Sequence, residues 1–324
     1  MGNAGVGRDL LVGVDVGGTK IAVLVVDGQY RVLSQATVPT ALDSPQTTLA
    51  CIASAVQQGV DLAGARMSEV RSVGVGVPGR VDPATGWVRR AVNLGWRELP
   101  AGSELSSLLG VRCLLENDSR LAALGARRLV GNPPPQHMVY VSVGTGIAAG
   151  LILDGRVYRG AHGLAGEVGH MVVAPGGPPC KCGARGCLEA LAAGPAIARL
   201  GHEAAETSGD TLLHRFRPVT VEAIYQAARE GDAAAQEVTG KVGGYLALAL
   251  HQLIMAYDME CIVLGGGVSR NGDAFLQPIL GTLARLRDGG VLTGEMLQPD
   301  MVRLLPPDYE AGAWGAVLLA HGVS

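Results

Sequence analysis

Charged and aromatic residues are scarce in this 324-residue sequence. Asp, Glu, Lys and Arg make up 17% of it and Phe, Trp and Tyr 4%, whereas 48% of the residues are hydrophobic. This composition excludes an intrinsically disordered chain, which combines low hydrophobicity with a high net charge. The formal net charge of -3 also leaves no excess of basic residues for a nucleic-acid surface. We therefore expect a globular protein that does not bind nucleic acid.

The sequence also lacks a hydrophobic run of membrane-spanning length. The apolar stretch 246–255 is broken by two polar residues, whereas a transmembrane helix needs about 20 consecutive apolar residues. Cys51, Cys113 and Cys261 stand singly among apolar residues, as buried thiols do in reducing compartments. These observations predict a cytoplasmic protein without membrane contact.

The other three cysteines are concentrated in one loop. Cys180, Cys182 and Cys187 fall within eight residues, and His170 precedes them. Three thiols and an imidazole form a ligand set that suits a tetrahedral dication such as zinc. The alternative is a disulfide with one spare thiol, although Cys180 and Cys182 are too close in sequence to pair easily with each other.

Two glutamates flank this loop. Glu167 lies three residues before His170, so that both side chains would face the same way on one helical turn, and Glu189 lies two residues after Cys187. A loop pinned by a metal would bring these side chains together to bind adjacent hydroxyl groups of a polyol. For each glutamate alone, the alternative is a solvated surface carboxylate.

A strand, a glycine turn and a second strand occur twice in the chain. The segments 14–28 and 141–155 align without a gap, and both end in the hairpin dipeptide Asp-Gly. Backbone N–H groups of such turns can bind phosphate oxygens, and a carboxylate at the strand end can hold a hydrated Mg2+. We predict two similar half-molecules with a nucleoside triphosphate between their turns; for the first copy alone, the alternative is a plain glycine hairpin. The predicted nucleotide contacts in the two turns are Asp15, Gly17, Gly18, Thr19, Lys20, Gly144, Thr145 and Gly146.

A carboxylate stands where an apolar strand meets a helix. Asp118 follows such a strand, and a helix is predicted over 120–130. The carboxyl end of a strand is the place where α/β folds position their chemistry. The alternative is that Asp118 or Ser119 simply caps the helix.

Three more elements can be predicted from the second half of the chain. Residues 233–257 read as a long buried helix, and residues 310–321 as a helix of small residues. Gly265 and Gly266 follow a short apolar strand and precede a helix. This order suits a contact to a phosphate or a nucleoside.

The loop motifs together resemble a known family. Gly-Glu-Val-Gly-His at 166–170 and Cys-Lys-Cys-Gly-Ala-Arg-Gly-Cys-Leu-Glu at 180–189 are similar to the signature of the ROK family of bacterial sugar kinases and repressors. Asn-Leu-Gly-Trp at 93–96 resembles the glucokinase branch in particular. The resemblance implies that Asp118 is the general base and that Gly265 and Gly266 lie on the adenosine side of bound ATP. The implied ligands of a structural zinc are His170, Cys180, Cys182 and Cys187. The implied sugar contacts are Gly79, Asn93, Asn117, Asp118, Glu167, His170 and Glu189.

The resemblance also implies a fold and an activity. The expected fold class is α/β, in the form of a two-domain actin-like (ribonuclease-H-like) ATPase fold with a substrate cleft between the domains. Residues 10–118 and 310–324 would form a smaller N-terminal domain, and residues 119–309 a larger C-terminal domain with the zinc loop. The expected activity is the Mg2+-assisted transfer of the γ-phosphoryl group of ATP to the 6-hydroxyl of glucose, in a homodimer or homotetramer.

Two alternative functions stay open at this point. One is a kinase for N-acetylmannosamine, N-acetylglucosamine, mannose or fructose, or one that uses polyphosphate or ADP as the donor. The other is a sugar-responsive repressor, although repressors of this family carry a DNA-binding domain before the first glycine turn. Only about ten residues precede the first predicted strand here, which favours the kinase.

Overall fold

The computed structural model describes residues 9–323, and its contacts divide them into two compact units. The first unit contains the described residues up to Pro134, the segment Arg156–Ala165 and the residues from Glu310 onward. The second unit contains Pro135–Gly155 and Gly166–Tyr309.

Groups of strands and groups of helices are interspersed along the described chain, as in mixed α/β folds. The strands are β1 (Leu10–Val16), β2 (Lys20–Val26), β3 (Val32–Pro39), β4 (Val70–Val77), β5 (Arg80–Asp82), β6 (Trp87–Ala91), β7 (Trp96–Leu99), β8 (Cys113–Asn117), β9 (Met138–Val143), β10 (Ile147–Leu153), β11 (Arg156–Tyr158), β12 (Cys261–Gly265) and β13 (Val302–Leu304). The α-helices are α1 (Pro45–Leu62), α2 (Ala101–Leu109), α3 (Asp118–Arg127), α4 (Leu188–Ala192), α5 (Gly194–Thr207), α6 (Val221–Arg229), α7 (Ala233–Tyr257), α8 (Asp273–Asp288), α9 (Val291–Met296) and α10 (Ala311–His321). Short 3-10 turns cover Met67–Glu69, Val92–Leu94, Val168–His170, Leu212–Arg215 and Val268–Asn271.

The first unit is built on a five-stranded sheet. Its strand order is β3-β2-β1-β4-β8, in which β1, β2 and β3 run antiparallel and β1, β4 and β8 run parallel. Gly76 of β4 pairs with Asp15 on one side and with Glu116 on the other. The carboxyl ends of β1 and β8 therefore lie at the same edge of the sheet, and Asp118 follows β8 directly at that edge.

The C-terminal helix α10 packs against this sheet by close approach of backbones. An added Cβ at Gly13 of β1, at Gly74 of β4 or at Gly125 of α3 would overlap a carbonyl oxygen of α10. Conversely, an added Cβ at Gly315 of α10 would overlap the backbone of Leu121 in α3. Because backbone atoms cannot rotate aside, α10 can occupy this position only where glycine removes the side chain from one partner.

This packing explains why the contacts divide the chain differently from the sequence-based boundary at residues 118/119. The close contact at Gly125 and Gly315 joins α3 to α10, so the contacts group residues 119–134 with the first unit. The segment Arg156–Ala165 is also grouped with the first unit. The return of the chain from Glu310 to the first unit agrees with the expected position of the last helix.

The second unit is built on a second set of paired strands and a long helix. Its strands lie in the order β10-β9-β12-β13, with β9 antiparallel to β10 and parallel to β12, and with β12 parallel to β13. Helix α7 spans Ala233–Tyr257, as predicted, and the side chain of its N-cap Asp232 accepts a hydrogen bond from the backbone N–H of Ala235. No helix among the described residues is long and apolar enough to cross a membrane.

The predicted internal repeat is present at the level of strands. In the first unit β1 and β2 form an antiparallel pair around a glycine turn, and in the second unit β9 and β10 do the same. The strands β2 and β10 both have seven residues and begin at aligned positions of the two copies. Each copy therefore presents its glycine turn at the end of an antiparallel hairpin.

The glycine contacts of α10 lead to a stability prediction. We expect Gly315→Ala to lower the free energy of unfolding of the first unit by about 3 kcal/mol, since overpacking against a backbone cannot be relieved by a rotamer change. All three tryptophans, Trp87, Trp96 and Trp314, lie in the first unit. Urea denaturation followed by tryptophan fluorescence therefore reports on this unit.

A matched control is Gly240→Ala in α7, where an added Cβ meets no atom within 4 Å. This change should leave the fluorescence transition unmoved and stabilise the helix by about 0.5–1 kcal/mol in circular dichroism. Equal transitions for the wild type and Gly315→Ala would show that the helix interface is not tightly packed.

Candidate active site

Acidic side chains converge at the carboxyl edge of the first sheet. Asp15 is the second-last residue of β1, and a Cβ added to Gly312 in the first turn of α10 would overlap its carboxylate. Burial, together with the charges of Asp118 and Glu310, raises the pKa of the Asp15 carboxyl to about 7, while Lys20 acts in the opposite direction. Lys20 Nζ forms an ion pair of 3.0 Å with Glu310 Oε1. The first unit thus holds several carboxyl groups at one edge with incomplete charge compensation.

The junction of β8 and α3 differs from its prediction in two respects. The helix begins at Asp118, two residues earlier than predicted, and its N-cap is Asn117 rather than Asp118 or Ser119. Asn117 Oδ1 accepts the backbone N–H of Arg120 at 3.2 Å, and Asn117 Nδ2 donates to the carbonyl oxygen of Gly79 at 3.0 Å. The predicted sugar residues Gly79 and Asn117 are therefore bonded to each other.

The Asp118 side chain is oriented by its own helix. Its Oδ1 accepts the backbone N–H of Ser119 at 2.7 Å. The alternative for Asp118 was that it caps the helix, but the N-cap is the preceding residue, Asn117. The Asp118 carboxylate thus lies in the first turn of α3, where the helix dipole favours a negative charge.

The first glycine turn lies close to another predicted sugar residue. The turn is closed by a hydrogen bond of 2.8 Å from the N–H of Gly17 to the carbonyl of Lys20. An added Cβ at Gly18 would lie 3.7 Å from the carbonyl oxygen of Asn93. The structure therefore places Asn93, in the 3-10 turn between β6 and β7, next to the proposed phosphate-binding turn.

The second glycine turn is tighter, and Glu189 is bonded to it. The N–H of Gly144 donates to the carbonyl of Gly146 at 2.9 Å, and the side chain of Thr145 is exposed at its tip. The N–H of Ile147, the next residue, donates to Glu189 Oε2 at 3.0 Å. A predicted sugar residue and a predicted phosphate turn are therefore in direct contact within the second unit.

The third glycine segment lies beside the second turn. A Cβ added to Gly266, whose φ is +90°, would overlap the backbone of Val143 at the end of β9. The sequence predicted a helix directly after these glycines. The structure has a 3-10 turn at Val268–Asn271 first, and α8 begins only at Asp273.

The four predicted metal ligands come together in the second unit. The ligand atoms of His170, Cys180, Cys182 and Cys187 all lie within 4.8 Å of one another. Cys182 Sγ and Cys187 Sγ are 3.6 Å apart, and Cys180 Sγ is 3.6 Å from His170 Nδ1. A disulfide would need an S–S distance of about 2.05 Å, whereas ligands bound to a tetrahedral zinc at about 2.3 Å are separated by roughly 3.7 Å. The donor set and its spacing fit zinc, and none of the cysteines in the described chain forms a disulfide.

The two nitrogens of His170 face different partners. Nδ1 points to the thiols, and Nε2 lies 3.9 Å from Glu167 Oε2. Glu167 is the N-cap of the 3-10 turn Val168–His170, and His170 is the last residue of that turn, in agreement with the predicted helical turn. An imidazole arranged in this way can bind a metal through Nδ1 and a hydroxyl group through Nε2.

The structure also reveals functional candidates that the sequence analysis missed. Glu116, Arg120 and Arg159 form a buried ionic cluster next to Asp118. A glutamate inside an apolar strand was a usable signal, since a carboxylate is almost never fully buried unless it is paired. Its partner Arg159 lies 43 residues away, and nothing in the local pattern identifies it.

The sequence and its fold can be compared with known proteins. The ROK family profile matches residues 11–323. A glucokinase of Halalkalibacterium halodurans is 34% identical to this chain over 274 residues, which are 83% of this chain and 83% of that protein. The ROK hexokinase of Thermus thermophilus has a similar crystal structure, with a TM-score of 0.79 at 34% identity, over 96% of this chain and 98% of that one.

A second crystal structure, of a ROK family glucokinase from Streptomyces griseus in complex with glucose and AMPPNP, has a TM-score of 0.80 at 31% identity. The match covers 97% of this chain and 99% of that one. These similarities confirm the predicted family and the predicted actin-like α/β fold class. The chain belongs to the ROK family.

Proposed function

We propose that this protein transfers the γ-phosphoryl group of ATP to the 6-hydroxyl of glucose. The observation that carries the proposal is the similarity, over 97% of the chain, to a glucokinase whose structure contains glucose and AMPPNP. The acids Asp15 and Asp118 at the carboxyl edge of the first sheet support it, because phosphoryl transfer to an alcohol needs a base and a cation site.

Asp118 is the proposed general base. Its carboxylate accepts the proton of the sugar 6-hydroxyl while the hydroxyl oxygen attacks the γ-phosphorus and ADP leaves. A base positioned in this way accelerates a reaction by roughly a hundredfold to ten-thousandfold. The bond from Ser119 N–H to Asp118 Oδ1 supports this role because it fixes the orientation of the carboxylate.

The proposed sugar contacts come from both units. In the first unit the amide of Asn117 is oriented by its bonds to Arg120 and Gly79. In the second unit the metal loop orients His170, whose Nε2 faces Glu167. The complete proposed set is Gly79, Asn93, Asn117, Asp118, Glu167, His170 and Glu189.

The proposed phosphate contacts are the glycine turns, whose N–H groups would stabilise charge on the transferring phosphoryl group. The set is Asp15, Gly17, Gly18, Thr19, Lys20, Gly144, Thr145, Gly146, Gly265 and Gly266. A divalent cation beside Asp15 would stabilise its ionised form against burial and the charges of Asp118 and Glu310, which raise the pKa of this carboxyl. Bound Mg2+ would neutralise charge on the ATP phosphates.

Zinc is the proposed occupant of the site formed by His170, Cys180, Cys182 and Cys187. Four protein ligands complete a tetrahedron and leave no position for a substrate, so a bound zinc would be structural. Burial and the neighbouring thiols raise the pKa of the Cys187 thiol to about 12, and a bound dication would overcome this by stabilising the thiolate. The expected homodimer or homotetramer, the cytoplasmic location and the lack of nucleic-acid binding stay predictions.

The test of this function is a coupled kinase assay with a panel of sugars and donors. We expect turnover with glucose and ATP, and much lower turnover with mannose, fructose, N-acetylglucosamine, N-acetylmannosamine, ADP or polyphosphate. Asp118→Asn should lower kcat by at least about a thousandfold and keep glucose binding, measured by calorimetry, within a few-fold of wild type. Preference for another sugar would reassign the substrate, and near-normal turnover by Asp118→Asn would remove Asp118 from the base role.

Asp15 leads to a prediction on stability and pH. Because its folded-state pKa of about 7 exceeds the unfolded value of 3.8, the folded state binds more protons between these values, and stability from this residue falls as pH rises. Asp15→Asn removes the titrating carboxyl group and therefore this loss of stability at higher pH. We expect the stability of Asp15→Asn relative to wild type to increase by roughly 2 kcal/mol from pH 5 to pH 8 without Mg2+.

Urea denaturation followed by tryptophan fluorescence measures this difference in the first unit. The same substitution should lower kcat, because the proposed cation ligand is lost. A stability difference between Asp15→Asn and wild type that did not change with pH would contradict the raised pKa.

The metal loop leads to a further prediction. Mass spectrometry of the wild type should show about one zinc ion per chain. We expect Cys182→Ser to lose this ion, because the substitution weakens one of the four ligands. The KM for glucose should rise at least about tenfold, since the loop orients His170 and Glu189. Cys51→Ser, in the first unit, is the control and should keep both the zinc and the KM. Normal glucose binding by metal-free Cys182→Ser would separate the metal loop from the sugar site.

A further inference from the structure

A fully buried carboxylate lies directly before the proposed base. Glu116 is 0% exposed and is followed by Asn117 and Asp118. Its Oε1 accepts the backbone N–H of Asn117 at 2.8 Å and Arg120 Nη1 at 3.2 Å, and its Oε2 accepts Arg159 Nε at 2.6 Å. Both carboxylate oxygens are thus held by donors, as burial of a charge requires.

Arg120 connects this carboxylate to a second segment of the first unit. Its Nη2 donates to the carbonyl oxygens of Gly163 at 2.7 Å and Ala165 at 3.4 Å. Its backbone N–H at the same time donates to the cap side chain of Asn117. One buried arginine therefore ties the first turn of α3 to the segment Arg156–Ala165, from which the chain reaches Glu167 two residues later.

Stability alone does not account for such a cluster. One carboxylate and two guanidinium groups leave a net charge of +1 at a largely buried place. Replacing buried ion pairs with well-packed apolar residues is often neutral or stabilising, because the charges lose their hydration. The cluster instead fixes the orientation of the groups it joins, since short charge-assisted hydrogen bonds restrict orientation more strictly than apolar contacts do.

We propose that Glu116, Arg120 and Arg159 are positioning residues for the phosphoryl transfer, which hold the β8–α3 junction so that Asp118 is aligned with the sugar hydroxyl. This proposal rests on the proposed function. The cluster acts through the backbone N–H of Asn117 and through the first turn of α3. A misplacement of about 1 Å at a catalytic group can cost on the order of a hundredfold in rate.

Arg159→Ala tests the proposal most directly. The Arg159 side chain is 31% exposed, and its removal leaves Glu116 bonded to Arg120 and to the N–H of Asn117, so the variant should fold. We expect kcat to fall by about tenfold or more, with the KM for ATP unchanged. Guanidinium at low, non-denaturing concentration should restore part of kcat by occupying the vacated site, whereas sodium chloride at equal ionic strength should not.

The matched control is Arg31→Ala. Arg31 Nε pairs with Asp27 Oδ2 at 2.6 Å, the same donor atom and the same length as the Arg159 pair, but the Arg31 side chain is 73% exposed. This variant should keep the wild-type kcat and show no response to guanidinium. Glu116→Gln is a second variant, and it should lower kcat at temperatures where circular dichroism shows it folded.

The outcomes separate this proposal from the proposed function. If the wild type phosphorylates no sugar, both fail together. If the wild type is active and Arg159→Ala has a lower melting temperature but an unchanged kcat, the cluster is only structural and the inference alone is overturned. A reduced kcat that guanidinium raises supports the positioning role, because a general loss of stability would not be reversed by this ion.

Discussion

The close backbone packing of α10 is the constraint on which the first unit depends. Glycines in β1, β4 and α3 allow this helix to touch all three elements directly. Two of these elements carry acidic groups, because Asp15 is the second-last residue of β1 and Asp118 begins α3. Helix α10 also comes close to the Asp15 carboxylate at Gly312, and burial, together with the charges of Asp118 and Glu310, raises the pKa of this carboxyl.

In the second unit the comparable constraint is the cluster of candidate metal ligands rather than a close helix contact. The ligand atoms of His170 and the three thiols lie within 4.8 Å of one another, and the proposed zinc would cross-link the loop there. The loop is then continuous with α4, where Glu189 accepts the N–H of Ile147 at the end of the phosphate turn. Under the proposed function, a change in this loop would reach the second glycine turn through the contact between Glu189 and Ile147.

Features with a local cause could be predicted from the sequence. The glycine hairpins follow from turn chemistry and apolar strands, and helix α7 from an apolar stretch that starts after the N-cap Asp232. The grouping of the four candidate metal ligands follows from the cysteine spacing and the family resemblance. The bounds of α7 agree with the prediction because both its cap and its buried face are encoded within the helix itself. The start of α3 was wrong by two residues because three consecutive polar residues, Asn117, Asp118 and Ser119, could each have capped it.

Features that join distant segments could not be predicted. Glu116 and Arg159 are 43 residues apart, and Lys20 and Glu310 are 290 apart. The apolar strand around Glu116 could indicate that this glutamate is buried and paired, but the sequence does not show which arginine is the partner. The unit boundary could not be predicted for the same reason. It depends on the contact between Gly125 of α3 and Gly315 of α10, and the sequence does not show that these two glycines meet. Catalytic side chains at the ends of strands can be found from local patterns, whereas the groups that hold them in place are found only from the three-dimensional contacts.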